Sequence, residues 1–214
     1  MDSLILQIDE EIERRSLLKH PFYEMWSHGK LTRDHLSGYS MEYFQLVRAV
    51  PEMVKNIEAK SGSNSKEEIQ RNLREESEHV NLWIKFASSL GISNKALLAY
   101  PGMPGTIRAV EEMKKLTTIS LDVGIAGMYA YERDVPKISA TKIKGLKEFY
   151  GMDSADALEY FQEHEKADVR HAAVWRSLLE NVKRENQEAA LRGAVRSLAA
   201  QNRLLDSVME KYVA

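Results

Sequence analysis

Apolar side chains recur at helical spacing along almost the whole chain, and no pair of alternating strands is joined by a hairpin signal. This pattern predicts an all-α fold. Thr32 and Ser154 are predicted to cap helices, and Ser65 is predicted to form a capping box with Glu68. The predicted helices cover about residues 2–16, 21–29, 32–61 with a kink at Pro51, 65–91, 106–117 and 119–135, followed by a helix that carries Lys142, a long one that begins at Ser154, and one that runs from Asn186 towards the C-terminus.

The predicted helices are joined by short connections, and residues 100–105, with the sequence YPGMPG, are the clearest loop. No internal repeat, low-complexity tract or linker interrupts them. A chain of 214 residues is long enough for a substantial core and short enough for one domain. We therefore expect residues 1–214 to form a single helical bundle.

Composition excludes several classes of function. The 30 basic and 32 acidic side chains nearly balance, so a nucleic-acid-binding surface is not indicated. No apolar run approaches the roughly 20 residues that a membrane span needs, and the first residues lack the order of a secretory signal, so we expect a cytoplasmic protein without membrane contact. The absence of cysteine excludes disulfides, thiolate ligands and thiol nucleophiles. A metal ion would have to be held by nitrogen and oxygen.

Three potential metal ligands share one face of the long helix that begins at Ser154. His164, Asp168 and His171 are spaced so that they lie within an arc of about 60° on a helix. An unpaired buried carboxylate would cost several kcal/mol, so this face is either exposed or meets a positive charge. The same helix carries apolar residues around its circumference, which favours burial and hence a metal ion.

Two other predicted helices offer further ligands. Glu76 and His79 form the Glu-x-x-His pattern that helical dimetal carboxylate proteins use. Glu132 ends an otherwise uncharged run, and two interpretations stay open for it, an inward-facing ligand and a solvent-facing residue near a helix terminus. Together with the first face, these residues make three imidazoles and three carboxylates.

A set of six such ligands suits two metal ions. Mixed histidine and carboxylate ligation without thiolate matches iron or manganese better than structural zinc. Two such ions can activate dioxygen, but the same ligands would also serve a hydrolytic two-metal site. The spacing of the ligands does not decide between these two chemistries.

Several blocks of the chain together resemble a known family. They are HPFYEMWSHGKLT at 20–32, residues 38–43, HVNLW at 79–83, YAYERDVPKI at 129–138, KIKGL at 142–146 and, most specifically, YFQEHEKADVRH at 160–171. With these blocks the chain resembles the heme-oxygenase-like dimetal oxygenases, in the group of the chlamydial protein associating with death domains. The resemblance implies a seven-helix bundle shared with PqqC and the TenA thiaminases, and a dimetal site at the six positions named above.

The chain departs from the chlamydial pattern at the first carboxylate ligand. In that pattern the first glutamate and histidine are seven residues apart, but the residue seven positions before His79 is Asn72. The first carboxylate is therefore assigned to Glu76, with Glu75 as the alternative. Some members of the family do use the Glu-x-x-His spacing.

The resemblance also implies an activity. This group is implicated in making p-aminobenzoate for folate with dioxygen, a reductant, a pair of iron ions or a manganese and iron pair, and the protein's own side chains. The matching positions are Tyr23 as the source of the ring, Tyr39 as a nearby aromatic participant and Lys142 as the amine donor. Without the resemblance, Tyr23 would be interpreted as a packing residue and Lys142 as a surface residue. Tyr131, next to Glu132, either relays an electron, hydrogen-bonds to the site or only packs.

Two other functions are consistent with the sequence. The metal site could act on an external small molecule, as in relatives that oxidise fatty acids or amino acids. Alternatively, the scaffold could be a metal-free PqqC-like or TenA-like module for ligand or protein binding. TenA-type thiaminase chemistry is disfavoured because the chain has no cysteine. The resemblance further implies a homodimer and, by the family name alone, contact with death domains.

Overall fold

The structure is a computed structural model that describes residues 3–213, and every regular element in that range is helical. Short 3-10 and π-helical turns, at Leu17–Lys19 and Met209–Val213, supplement the α-helices. The α-helices are α1 (Leu4–Arg14), α2 (Pro21–Ser27), α3 (Arg33–Val47), α4 (Val50–Glu58), α5 (Ser63–Ser89), α6 (Asn94–Ala99), α7 (Pro104–Ile119), α8 (Leu121–Glu132), α9 (Val135–Glu148), α10 (Ala155–Leu179) and α11 (Arg184–Val208).

Local sequence signals set most of these boundaries. Thr32 and Ser154 cap α3 and α10 as predicted, each accepting a hydrogen bond from a backbone N–H in the first turn. Four helices, α2, α4, α7 and α9, have proline in their first turn, where its missing N–H costs nothing. Gly91 follows α5 with φ of 88°, a conformation that glycine adopts without strain.

Three predicted boundaries are wrong. Pro51 does not kink one helix, because α3 ends at Val47 and a separate helix begins at Val50 with this proline in its first turn. The predicted capping box at Ser65 does not form, since α5 begins at Ser63 with Gly62 as its N-cap. The helix predicted to reach residue 135 ends at Glu132, and the following proline opens α9 instead. The short helix α6 was not predicted.

The helix α10 lies at the centre of the fold. It packs against α5, α8 and α9, while α11 covers α7 and α8. The three tryptophans of the chain, Trp26, Trp83 and Trp175, are completely buried in the resulting core. Because α10 is covered on several sides, His164, Asp168 and His171 near its centre face other helices, whereas Glu163 and Lys166 stay exposed.

The C-terminal turn packs on α3. The ring of Tyr212 lies so close to Gly38 that an added Cβ would be 2.3 Å from the ring. The hydroxyl of Tyr212 lies 2.9 Å from that of Tyr100, which also accepts a hydrogen bond from Lys211 Nζ at 2.8 Å. The Tyr100 hydroxyl in turn donates to the buried carboxylate of Glu42. This network ties the C-terminal turn to the loop after α6.

Within residues 3–213, no helix combines the length and the apolar composition needed to cross a bilayer.

Candidate metal centre

Three neighbouring helices carry the six residues that the sequence suggests as metal ligands. The helix α5 carries Glu76 and His79, α8 ends at Glu132, and α10 carries the three residues of the histidine and aspartate face. All six side chains are buried, with at most 6% of any residue exposed. The solvent-facing interpretation of Glu132 is therefore wrong, because this residue is 1% exposed.

Five of the six residues form two groups that share Glu76. The first group joins Glu76 to His79 and His164, and the second joins it to Glu132 and His171. Within each group the potential ligand atoms lie within 4.8 Å of one another. Asp168 adds to the second group, since its Oδ1 lies 3.2 Å from His171 Nδ1. The structure thus brings all six predicted residues together around two adjacent positions.

Several buried polar atoms in these groups lack hydrogen-bond partners among the residues that the structure describes. They are His79 Nδ1, Glu132 Oε1, His171 Nδ1 and both carboxylate oxygens of Asp168. An orphaned buried polar atom costs about 1–3 kcal/mol, and more when it is charged. Atoms of this kind clustered at one point fit the coordination of divalent cations, which would satisfy imidazole nitrogen and carboxylate oxygen together.

The pKa values of these residues show that they interact strongly with one another. Burial raises the pKa of Glu132 well above its ordinary value, and nearby Asp168 and Glu76 add to this although His171 opposes it. Burial also tends to raise the pKa of Glu76, but the contacts of Glu76 with His171 and His79 outweigh burial, so its pKa is lowered. For His171, burial is outweighed by the surrounding carboxylates, which raise its pKa to about 11.

Neighbouring groups orient two of the candidate ligands. His164 Nδ1 lies 2.7 Å from the backbone carbonyl of Tyr160, to which it can only donate, so Nε2 remains for a metal ion. The indole Nε1–H of Trp175 donates to Glu132 Oε2 at 2.5 Å. Tyr160 lies four residues before His164 on α10, and Trp175 lies four residues after His171. Residues four apart lie on the same face of a helix. That spacing is the sequence signal that would have found them.

Glu75 and Glu76 occupy different surroundings. Glu76 belongs to both ligand groups, whereas Glu75 belongs to neither. The side chain of Glu75 is 24% exposed and contacts Arg71 and Arg170, which lower its pKa together with His171 although burial opposes them. This arrangement favours Glu76 over Glu75 as the first carboxylate ligand.

A second cluster of buried side chains surrounds Lys142. This lysine is only 3% exposed, contrary to the surface position that its local sequence suggests. Its Nζ lies 5.5 Å from the centre of the Tyr23 ring and 5.3 Å from that of Tyr39. The rings of Tyr43 and Phe161, at 4.8 and 5.1 Å, complete an aromatic enclosure. Sequence reasoning missed these last two residues, which come from distant segments.

The enclosure changes the acid–base behaviour of Lys142. Burial lowers the pKa of its amine to about 7, and no carboxylate of the described residues lies within ion-pair distance of it. A substantial neutral fraction therefore exists near pH 7. Burial also raises the pKa of the Tyr23 and Tyr39 hydroxyls, whose oxygens lie 3.4 Å apart. Both phenols are neutral.

Aromatic rings connect the lysine enclosure to the ligand groups. The ring of Tyr43 stacks on Trp83 at 5.1 Å, Trp83 meets Tyr160 edge to face at 4.7 Å, and Tyr160 stacks on His164 at 4.0 Å. Tyr131 is buried beside Tyr43, and its hydroxyl partly offsets the effect of burial on the pKa of Tyr43. The two clusters are therefore joined by rings in contact.

A cavity of about 530 Å³ lies outside the first ligand group, between α5 and α10. His79 reaches its wall from the inside, and the rest of the lining is mostly charged. It includes Arg71, Glu75, Glu78, Glu159, Glu163, Lys166 and Arg170. Such a lining suits water and ions better than an apolar chain.

Comparison with known proteins connects the chain to enzymes. A family model described as iron-containing redox enzymes matches residues 38–202. A 4-aminobenzoate synthase of Chlamydia pneumoniae is 35% identical over 206 residues, covering 91% of this chain and 89% of that protein. One of Nitrosomonas europaea is 33% identical over 225 residues, covering 97% of this chain and 92% of that protein.

Solved structures show the same fold at low sequence identity. A TenA homologue from Pseudomonas syringae superimposes with a TM-score of 0.83 at 15% identity, covering 97% of this chain and 91% of that one. A CADD-like protein from Nostoc punctiforme gives a TM-score of 0.81 at 15% identity, covering 99% and 97%. The predicted all-α bundle of the heme-oxygenase-like, TenA-like type is confirmed, and the chain belongs to the heme-oxygenase-like family of iron-containing redox enzymes.

Proposed function

We propose that this protein is an oxygen-dependent dimetal oxidoreductase that makes p-aminobenzoate from its own side chains, with Tyr23 as the source of the ring and Lys142 as the source of the amine. Relatives that are named 4-aminobenzoate synthases, at 30–35% identity over most of the chain, support the product. Folate biosynthesis is the expected use of that product.

The observation that carries this proposal is the enclosure of Lys142. A buried lysine without a carboxylate partner is costly, because burial disfavours its charged form. Here that cost leaves a partly neutral amine beside the ring of Tyr23. A neutral amine has the free electron pair that a new carbon–nitrogen bond requires. An ordinary structural lysine would gain nothing from this position.

The candidate ligands Glu76, His79, Glu132, His164, Asp168 and His171 would hold two ions, either both iron or one manganese and one iron. These ions would supply the oxidation of the phenol with dioxygen and an external reductant. The chain's own contribution is to place the ring, the amine and the connecting rings in contact, with water excluded from around them. Tyr39 would hold the Tyr23 hydroxyl in place. Tyr131 would support Tyr43 at the start of the connecting rings.

Isotopic labelling tests the source of the product. Protein made with ring-labelled tyrosine and nitrogen-labelled lysine is loaded with iron and manganese and then given a reductant and oxygen. The proposal expects both labels in p-aminobenzoate and loss of the ring from the peptide that contains Tyr23. An intact Tyr23 in protein that has formed product would refute the self-sacrificing mechanism.

Two matched variants sharpen this experiment. Lys142→Arg should form no product, whereas Lys144→Arg, an exposed neighbour on the same helix, should behave as wild type.

Product that carries no label from a labelled protein would favour an external substrate instead. The charged lining of the cavity beside the ligand groups argues against a fatty-acid substrate. If the wild-type protein and His164→Ala bind equally little iron, manganese or zinc, the metal-free binding module is favoured.

The remaining expectations stay predictions. They concern a homodimer, contact with death domains and a cytoplasmic location, and none of them enters the mechanism proposed here.

A further inference from the structure

Glu75 touches the candidate metal centre from outside. Its Oε2 lies 2.7 Å from His171 Nε2, on the side of the imidazole ring away from the other ligands. Its Oε1 accepts a hydrogen bond from Arg71 at 3.1 Å, and Arg170 also binds Oε2. Two guanidinium groups therefore fix a carboxylate that in turn contacts a completely buried imidazole.

A histidine that binds a metal ion is neutral, and in that state this contact determines which nitrogen of His171 carries the single proton. An ionised carboxylate can only accept, so Nε2–H of His171 must donate to Glu75. A neutral imidazole has one N–H, and placing it on Nε2 leaves the lone pair on Nδ1. That atom lies 3.2 Å from Glu76 Oε1 and 3.2 Å from Asp168 Oδ1. The lone pair would thus face the shared centre of the ligand groups.

We propose that Glu75 is a positioning residue of the metal centre, which holds His171 in the tautomer that binds metal through Nδ1. This inference rests on the dimetal site proposed above. The two adjacent glutamates on α5 then have different roles: Glu76 is a ligand, and Glu75 orients the ligand His171. For His164 the corresponding support is the backbone carbonyl of Tyr160. For His171 the support is the side chain of Glu75, which reaches α10 from α5.

Metal titration tests the proposal. Metal-free wild type, Glu75→Gln and Glu75→Leu are titrated with Co²⁺ and followed by calorimetry and by the visible absorption of the bound ion. The leucine variant should bind one of the two ions about 10- to 100-fold more weakly, with a changed cobalt spectrum. The glutamine variant keeps an acceptor oxygen without the charge, so it should show a smaller loss. Glu78→Gln, an exposed neighbour on the same helix, is the matched control and should resemble wild type.

The outcomes separate this inference from the proposed function. If wild type fails to bind two ions, the dimetal site itself is wrong. If wild type binds two ions and both Glu75 variants match it in affinity and spectrum, only the role of Glu75 is refuted.

A second measurement does not depend on how well a variant folds. Zinc-loaded wild type with nitrogen-labelled histidine is analysed by long-range proton–nitrogen NMR. The proposal expects His171 to be protonated at Nε2 and metal-bound at Nδ1. The reverse assignment would overturn it.

Discussion

Replacing Lys142 with methionine should stabilise the protein at neutral pH. Methionine keeps most of the length and volume of the side chain but removes an amine whose pKa burial lowers from 10.5 to about 7. Each pKa unit corresponds to about 1.4 kcal/mol, so the shift amounts to about 5 kcal/mol in full and about 4 kcal/mol at pH 7. The four surrounding rings return part of this cost through cation–π attraction, at about 0.5 kcal/mol each because only about half of the amines are charged at pH 7. We therefore expect a net gain of about 2 kcal/mol.

The gain should shrink as the pH rises. The unfolded chain holds the lysine proton more tightly than the folded protein does, so between pH 7 and 10.5 unfolding takes up a proton. Raising the pH through this range therefore stabilises wild type, by about 2 kcal/mol between pH 7 and pH 9 from this group alone. Below pH 7 the amine is charged in both states and the full cost is present. The methionine variant lacks this dependence.

Denaturant unfolding of the metal-free proteins at several pH values measures both effects. Lys144→Met is the matched control, since the Lys144 side chain is 71% exposed on the same helix and its removal should change stability little at any pH. Two results would show that the amine is not held as a desolvated base. One is a Lys142→Met variant that is less stable than wild type at pH 7, and the other is a stability difference between the two proteins that is the same at pH 7 and pH 9.

Three further predictions concern metal binding and packing. Excess Co²⁺ should raise the Tm of wild type, and Asp168→Asn should lose most of this rise because a buried carboxylate with two unpartnered oxygens is removed; equal rises would contradict the ligand assignment. Trp175→Phe keeps a smaller aromatic ring but deletes the donor to Glu132, so calorimetry should show metal affinity about tenfold or more lower, and unchanged affinity would argue against that support. Gly38→Ala forces a Cβ against the ring of Tyr212 and should cost about 1–3 kcal/mol in denaturant unfolding; Tyr212→Ala in the same chain should recover most of it, and additive losses would refute the contact.

Helical periodicity predicted correctly that His164, Asp168 and His171 share one face of α10, because that is a property of one helix, and this face is buried. The inward position of Glu132 could not be predicted, since it depends on where α8 meets α10. The choice between Glu75 and Glu76 is similar, because adjacent residues differ by about 100° around a helix and the phase of α5 is set by its neighbours. The false capping box at Ser65 has a local cause. Glycine at an N-cap costs only a few tenths of a kcal/mol relative to serine, so starting the helix at Gly62 is nearly as favourable.

Lys142 shows the limit of reasoning from local pattern. Its Lys-x-Lys neighbourhood is typical of an exposed helix face, yet the rings that enclose it come from α2, α3 and α10. No spacing within α9 indicates partners more than 90 positions away in α2 and α3. The resemblance to a family predicted the importance of this lysine, and the structure supplies the physical environment that the sequence pattern lacks.

The complete burial of Tyr23 has a consequence for the fate of the molecule. If its ring leaves as product, the ring's contacts with Phe22, Trp26 and Lys142 are lost from the core. Emptying a site of that size costs about 3–5 kcal/mol, a large share of the 5–15 kcal/mol that stabilises a typical domain. A chain that has reacted would unfold far more often than a fresh one and would be exposed to proteases. Reaction would then mark each spent copy for removal, and supply of the product would follow the rate of protein synthesis.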